Sequence, residues 1–181
     1  KSVRRIEKAL QVGEKITVYG DYDVDGISAS SLLYIYLQSR GAQVQTYIPQ
    51  RKSEGYGLND DALQSIAEGG TTLVITVDRG ISGLHEVEND PRCLDIIITD
   101  HHTVPEQLPP AFAIVNAKQA DDAYPFKELS GVGIAFKLCQ ALEQKVPGRL
   151  PEWAELTELA ALGTVADIVP LVGENRELVR R

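Results

Sequence analysis

Four acid or histidine clusters each sit directly behind an apolar stretch: Asp21-Tyr22-Asp23-Val24-Asp25-Gly26, Asp78, Asp100-His101-His102 and Asp167. The first three follow short β-branched runs, Ile16 to Tyr19, Leu73 to Val77 and Leu94 to Thr99. Runs of this length, bounded by Gly or Asp and alternating with helical patterns, read as buried parallel strands. In an open α/β sheet, ligands bind beyond the carboxyl ends of the strands, so acids far apart in sequence are expected to meet in one crevice. The pattern therefore constrains fold and site together.

Apolar spacing fills in the remaining elements. Val3 to Leu10 reads as a short amphipathic helix with Val3, Ile6 and Leu10 inward and Arg4, Arg5, Glu7 and Lys8 outward. Gly26 opens a helix whose core contacts are Ile27, Leu33, Tyr36 and Leu37, and Gly41 stops it. Val44 to Ile48 is a strand, and Pro49 to Gly57 a polar loop. Asn59 or Asp60 caps a helix over Ala62 to Ala67, and a short helix spans Ile81 to Val87, with His85 on its surface. Pro105, Pro109 and Pro110 interrupt the chain before a fifth strand, Phe112 to Val115. The expected fold class is α/β, a doubly wound, mainly parallel five-stranded sheet over about residues 1–118, flanked by helices.

A helical segment, about residues 128–181, follows. Its helices are Ile134 to Gln144, behind Ser130-Gly131-Val132-Gly133, and Trp153 to Leu162, after a break at Pro147-Gly148. Asp167 lies beyond the second of these, and the helical segment must close over the strand ends to deliver it. Trp153 is expected to anchor that cap. The Ser130 segment serves either as an N-cap with tight packing or as a phosphate cradle at a helix N-terminus.

The chain of 181 residues, 43% of them hydrophobic, is long enough for one substantial core. It has no apolar run of bilayer-spanning length and no signal peptide, so a soluble, cytoplasmic protein with no membrane partner is expected. Cys93 and Cys139 lie in apolar stretches without CxxC spacing and read as buried small residues. The net charge of −8 normally disfavours a nucleic-acid partner, since phosphate affinity comes from Lys and Arg. Bound divalent cations at the acid clusters would reverse that local potential. The chain starts at Lys1, contains no Met and stops at Arg181 within a helix-like composition, which suggests a piece of a longer protein.

Carboxylates crowded in one cleft repel one another and take up protons unless cations compensate them. Acids with one or two imidazoles suit first-row divalent ions, whereas Ca²⁺ prefers oxygen alone and structural Zn²⁺ more often recruits thiolates. Mn²⁺ or Mg²⁺ is expected, with two ions about 3.5–4 Å apart that activate water for in-line attack on a phosphodiester. Asp78, from a central strand, is the best bridge between them. Arg51 and Lys52 either contact phosphates along a single strand or are ordinary loop charge, and Tyr56 either stacks on a base or packs beneath the loop.

The four clusters, extended to Gly20 through Gly26, Asp78 with Gly80, Asp100-His101-His102 and Gly163-Thr164-Val165-Ala166-Asp167, resemble the motifs of the DHH phosphoesterase family in order and approximate spacing. The resemblance covers nearly the whole chain. Arg51 to Leu58, Gly131 to Leu138 and Asp167 to Leu171 resemble the connecting segments of the family's single-strand-specific 5′-to-3′ DNA exonucleases. The family's pyrophosphatases and oligonucleotide phosphatases typically carry a His where Tyr19 stands. The resemblance implies metal ligation by Asp23, Asp25, Asp78, His101 and Asp167, with Asp21 beside them in the set. It implies a catalytic group of Asp78, Asp100, His101 and His102, in which Asp100 orients the imidazoles and His102 meets the scissile phosphate or the leaving group. It further implies single-stranded DNA as substrate, with a helicase and a single-strand-binding protein as partners. The alternatives are a phosphatase of short oligonucleotides or dinucleotides and a catalytically silent single-strand-binding module. Two features depart from the pattern. Arg79 follows Asp78 where a small residue is common, and is expected to point to solvent; nothing matches the glycine-and-histidine motif of the family's second domain.

Overall fold

The computed structural model describes residues 1–50, 57–88, 90, 92–145 and 153–180. Five strands, β1 (Lys15–Tyr19), β2 (Gln43–Tyr47), β3 (Leu73–Val77), β4 (Asp95–Thr99) and β5 (Ala113–Val115), form one sheet in the order β2-β1-β3-β4-β5. Every pairing is parallel, in registers such as Val18 opposite Ile75 and Ile75 opposite Ile97. The strand order reverses between β1 and β3, and that is where ligands bind in sheets of this kind.

The central strands β1, β3 and β4 are largely buried on both faces because helices cover both, whereas the edge strand β2, Gln43-Val44-Gln45-Thr46-Tyr47, is polar and partly exposed. Ile16, Val18, Leu73, Ile75, Val77 and Ile97 face one core. That core is closed by α1 (Ser2–Val12), α2 (Val24–Ser39), α5 (Gly131–Glu143), α6 (Trp153–Ala166) and α7 (Gly173–Arg180). Tyr19, Val74, Ile96 and Ile98 face a second core under α3 (Asp60–Glu68), which contributes Ala62, Leu63 and Ile66. Each Leu or Ile buried in this way contributes about 1.5–3 kcal/mol.

Local signals set most boundaries. Asp23 caps α2 by accepting a hydrogen bond from Gly26 N at 2.9 Å, and Gly41, at φ 77°, takes the chain out of it. Asn59, not Asp60, caps α3 through Ala62 N. Ser130 caps α5 by accepting from Gly133 N. Trp153 anchors the helical cap as expected, its ring 6.3 Å from Tyr36 and edge-on to Phe136 at 5.6 Å.

Several expectations need correction. The helix expected from Ile81 is only the short α4 (Leu84–Glu88), because Ile81 N is bound to Asp100 Oδ2 and Gly83 N to Gly80 O. Helix α6 runs past Leu162 to Ala166, its Gly163 pressed against Asp25 and Val132. Ile27 is 44% exposed on the outer side of α2. Arg5 is buried instead, because its guanidinium is held between Glu14, just before β1, and Asp95, the first residue of β4. Cys93 is exposed in a left-handed turn, while Cys139 is buried. No helix among the described residues is long and apolar enough to cross a membrane.

Candidate metal centre

The acids converge at the carboxyl ends of β1, β3 and β4. Beyond β3, Asp78 adopts φ 60° and Gly80 φ 107°, a sharp turn tied down by the hydrogen bond from Thr76 Oγ1 to Arg79 O. A left-handed, non-glycine residue costs roughly 1–3 kcal/mol, and such strain gathers at functional sites. Helix α5 comes so close that a Cβ on Gly131 would lie 2.5 Å from Asp78 Cβ and 2.6 Å from its Oδ1.

Asp25, in the first turn of α2, is buried against α5, and its two oxygens accept hydrogen bonds from Gly131 N (2.6 Å) and Val132 N (2.9 Å). The N-terminus of α5 thus holds a protein carboxylate, which settles the Ser130 segment as a cap. Helix α6 packs on α2, again through a glycine: a Cβ on Gly163 would sit 2.7 Å from Asp25 Oδ1. Its end delivers Asp167, half-buried, to the same cleft.

His101 is the hub. Its Nε2 lies 3.1 Å from Asp78 Oδ1, 3.6 Å from Asp167 Oδ2 and 3.9 Å from Asp25 Oδ2. Neither ring nitrogen nor Asp78 Oδ1 makes a hydrogen bond, although all three atoms are buried. A nitrogen facing three carboxylate oxygens with no hydrogen bond to any of them fits a donor set completed by a shared cation. Among the described residues, three groups have ligand atoms mutually within 4.8 Å: Asp78, His101 and His102; Asp25, His101 and Asp167; Asp21, Asp23 and Asp78. Asp78 and His101 each belong to two of the three groups, the arrangement expected of a bridging site.

The electrostatics carry the same strain. Burial, followed by the Asp78 charge, pushes the Asp25 carboxyl up to about 7, and burial with nearby Asp23 pushes Asp78 up to about 8. Burial raises Asp167 as well and holds the His101 imidazole below its usual range. Asp100 goes the other way. Burial favours its neutral form, but hydrogen bonds from the His102 ring, His102 N and Ile81 N together keep it below the ordinary carboxylate value. The bond to Asp100 raises His102 to about 9.

Asp21, Asp23, Asp25, Asp78, Asp100, His101, His102 and Asp167 therefore all reach one crevice. Arg51, Lys52 and Tyr56, the expected nucleic-acid contacts, lie outside the described residues. Arg79 does not point to solvent. Its side chain is 0% exposed, donates to Gly20 O at 3.0 Å and lies 3.6 Å from Asp21 Oδ1. Sequence reasoning also missed that Gly26, Gly131 and Gly163 serve as contact points for carboxylates. Their positions beside the motifs were the available signal, and which acid each would meet depends on helix packing.

Comparison with known proteins agrees with this geometry. The sequence profile of the DHH family, N-terminal domain, matches residues 15–164. The single-stranded-DNA-specific exonuclease RecJ of Bacillus subtilis is 52% identical over 173 residues, covering 95% of this chain and 21% of that protein. RecJ of Escherichia coli is 38% identical over 189 residues, covering 98% and 33% respectively. The chain thus spans about a fifth to a third of the length of these curated relatives. Among solved structures, an exonuclease RecJ bound to manganese superposes with a TM-score of 0.86 at 37% identity, covering 99% of this chain and 45% of that one. RecJ of Thermus thermophilus in complex with Mn²⁺ gives 0.81 at 34% identity, covering 99% and 25%.

Proposed function

The chain belongs to the DHH family, and on that premise we propose that it is the catalytic core of a metal-dependent exonuclease that degrades single-stranded DNA from the 5′ end. The observation that carries the reading is His101 Nε2 facing Asp25, Asp78 and Asp167 within 3.9 Å, with Asp78 and His101 each common to two ligand groups. Its relatives support the substrate class, being single-stranded-DNA-specific exonucleases, two of them solved with manganese.

In this reading Asp23, Asp25, Asp78, His101 and Asp167 would hold the Mn²⁺ or Mg²⁺ ions, Asp78 being common to two of the ligand groups. When bound, the ions supply an activated water and neutralise charge on the phosphodiester. The chain's own groups do the rest. Backbone N–H groups of Gly131 and Val132 fix Asp25, and the turn after β3 fixes Asp78. Asp100 orients His102, whose half-exposed ring meets the scissile phosphate or protonates the leaving oxygen. Arg51, Lys52 and Tyr56 are proposed to line the path of the strand. Residues of about 1–118 form the sheet core and those of about 128–181 the segment that brings the last acid. A second domain that holds the nucleic acid, a cytoplasmic location, and a helicase and a single-strand-binding protein as partners belong to the same proposal.

The runner-up, a phosphatase of short oligonucleotides, loses support at Tyr19. Where such enzymes typically carry a His, this ring is buried in the second core, 5.1 Å from Tyr47. Single-stranded DNA labelled at either end, and a dinucleotide, should be incubated with and without Mn²⁺. Mn²⁺-dependent mononucleotide release from the 5′ end, absent in Asp78→Ala, is expected. Hydrolysis retained in that variant would overturn the assignment, and faster turnover of the dinucleotide than of the long strand would favour the phosphatase.

A further inference from the structure

An Arg behind a strand normally extends its stem along the surface and keeps its charge in water. Arg79 instead buries a permanently charged guanidinium, which is costly unless anions or carbonyls receive it. Three of its contacts fall on the end of the neighbouring strand and the two residues after it. Nη1 donates to Gly20 O at 3.0 Å, Nη2 lies 3.6 Å from Asp21 Oδ1, and the guanidinium carbon stands 5.4 Å from the centroid of the Tyr19 ring. The side chain is therefore a strut from the end of β3 to the end of β1, across the place where the strand order reverses.

Asp21 has little freedom against that strut. It is 2% exposed, and its Oδ1 accepts the hydrogen bond of Tyr22 N at 2.7 Å. From the other side the first turn of α2 presses in: a Cβ on Gly26 would come within 2.6 Å of Asp21 Cβ and 2.8 Å of its Cα. Distance alone leaves Asp21 within reach of Asp23 and Asp78 as a ligand. Charge separates them, because Asp21 already faces a cation supplied by the protein.

We propose that Arg79 is a positioning residue that neutralises Asp21 and so removes it from the metal-binding set, leaving Asp23, Asp25, Asp78 and Asp167, with His101, to hold the ions. The proposal rests on the metal reading above and refines it. Of the six carboxylates that the described residues bring to the site, Asp100 is committed by three hydrogen bonds to His102 and Ile81. Asp21 is committed to Arg79. The remaining four carry the charge that two divalent ions balance.

The test is Mn²⁺ binding alone, followed by electron paramagnetic resonance, with circular dichroism to verify folding. Asp21→Asn should bind as many Mn²⁺ equivalents as the parent, whereas Asp23→Asn should lose one. Arg79→Gln leaves the Asp21 carboxylate uncompensated beside the site, so it should bind Mn²⁺ more tightly than the parent or take up an extra equivalent. That gain should disappear in the double variant Asp21→Asn/Arg79→Gln. A purely structural Arg79 would only weaken binding. Loss of an equivalent in Asp21→Asn, or a gain in Arg79→Gln that survives the second substitution, overturns the proposal. If Arg79→Gln does not fold, the equivalents bound by Asp21→Asn decide it. A parent chain that binds no Mn²⁺ overturns the metal reading itself and the refinement with it.

Discussion

His102 Nδ1 lies 2.8 Å from Asp100 Oδ1, and the same oxygen receives the backbone N–H of His102 at 3.0 Å. Because a carboxylate only accepts, Nδ1 carries the proton, and the bond fixes the ring's orientation. Asp100→Asn should disturb this orientation without removing any carboxylate of the proposed ion set. Turnover should fall roughly 10- to 100-fold while Mn²⁺ equivalents stay as in the parent. Steady-state kinetics beside metal titration would check this, and a lost Mn²⁺ equivalent would count against the assigned role.

Protons stabilise the metal-free protein. Asp25 is raised to about 7, Asp78 to about 8 and His102 to about 9, so at neutral pH the folded state holds protons that the unfolded chain has released. Stability contributed by the two acids is complete below about pH 3.8 and is lost as pH rises through 7 to 8; that from His102 is lost through about 9. The melting temperature of the metal-free chain should therefore fall between pH 6 and 9, by about 2–4 °C per kcal/mol lost. Mn²⁺, which binds only the folded form in this reading, should offset most of that fall at the alkaline end. Calorimetry across the range, with chelator or Mn²⁺, tests both signs.

Gly131→Ala adds a methyl group that meets Asp78 Cβ at 2.5 Å, in a place where neither helix nor turn has slack. The overpacking should destabilise the fold by about 1–3 kcal/mol. Ordinary helix propensity gives the opposite sign, since Ala exceeds Gly in a helix by about 1 kcal/mol. Urea denaturation distinguishes them. Because the displaced group is Asp78, Mn²⁺ affinity should fall as well.

Ile168, immediately after Asp167, sits at φ 59° with its side chain 89% exposed. A β-branched residue in the left-handed region costs about 1–2 kcal/mol relative to a right-handed conformation, and here no packing offsets the cost. Ile168→Gly should raise stability, by less than that amount because glycine has more unfolded-state entropy to lose. A higher urea midpoint at unchanged slope is the expected result.

Some of this protein could be read directly from its sequence. Strand β3 ends where the apolar run ends, Asp78 follows it, and Asn59 and Ser130 cap the helices they precede, because hydrogen bonding and alternation act over a few residues. That the acids share one crevice also followed, since parallel strands all end on the same side. The sequence did not reveal which partners those groups would take. Arg79 looked like a surface residue and is buried against Asp21, Ile27 looked like core and is half-exposed, and Asp25 finds its hydrogen bonds more than a hundred residues away at the start of α5. Burial and charge pairing depend on how helices dock across the sheet. That docking is set by close contacts at Gly26, Gly131 and Gly163, which only the assembled tertiary structure brings against the carboxylates.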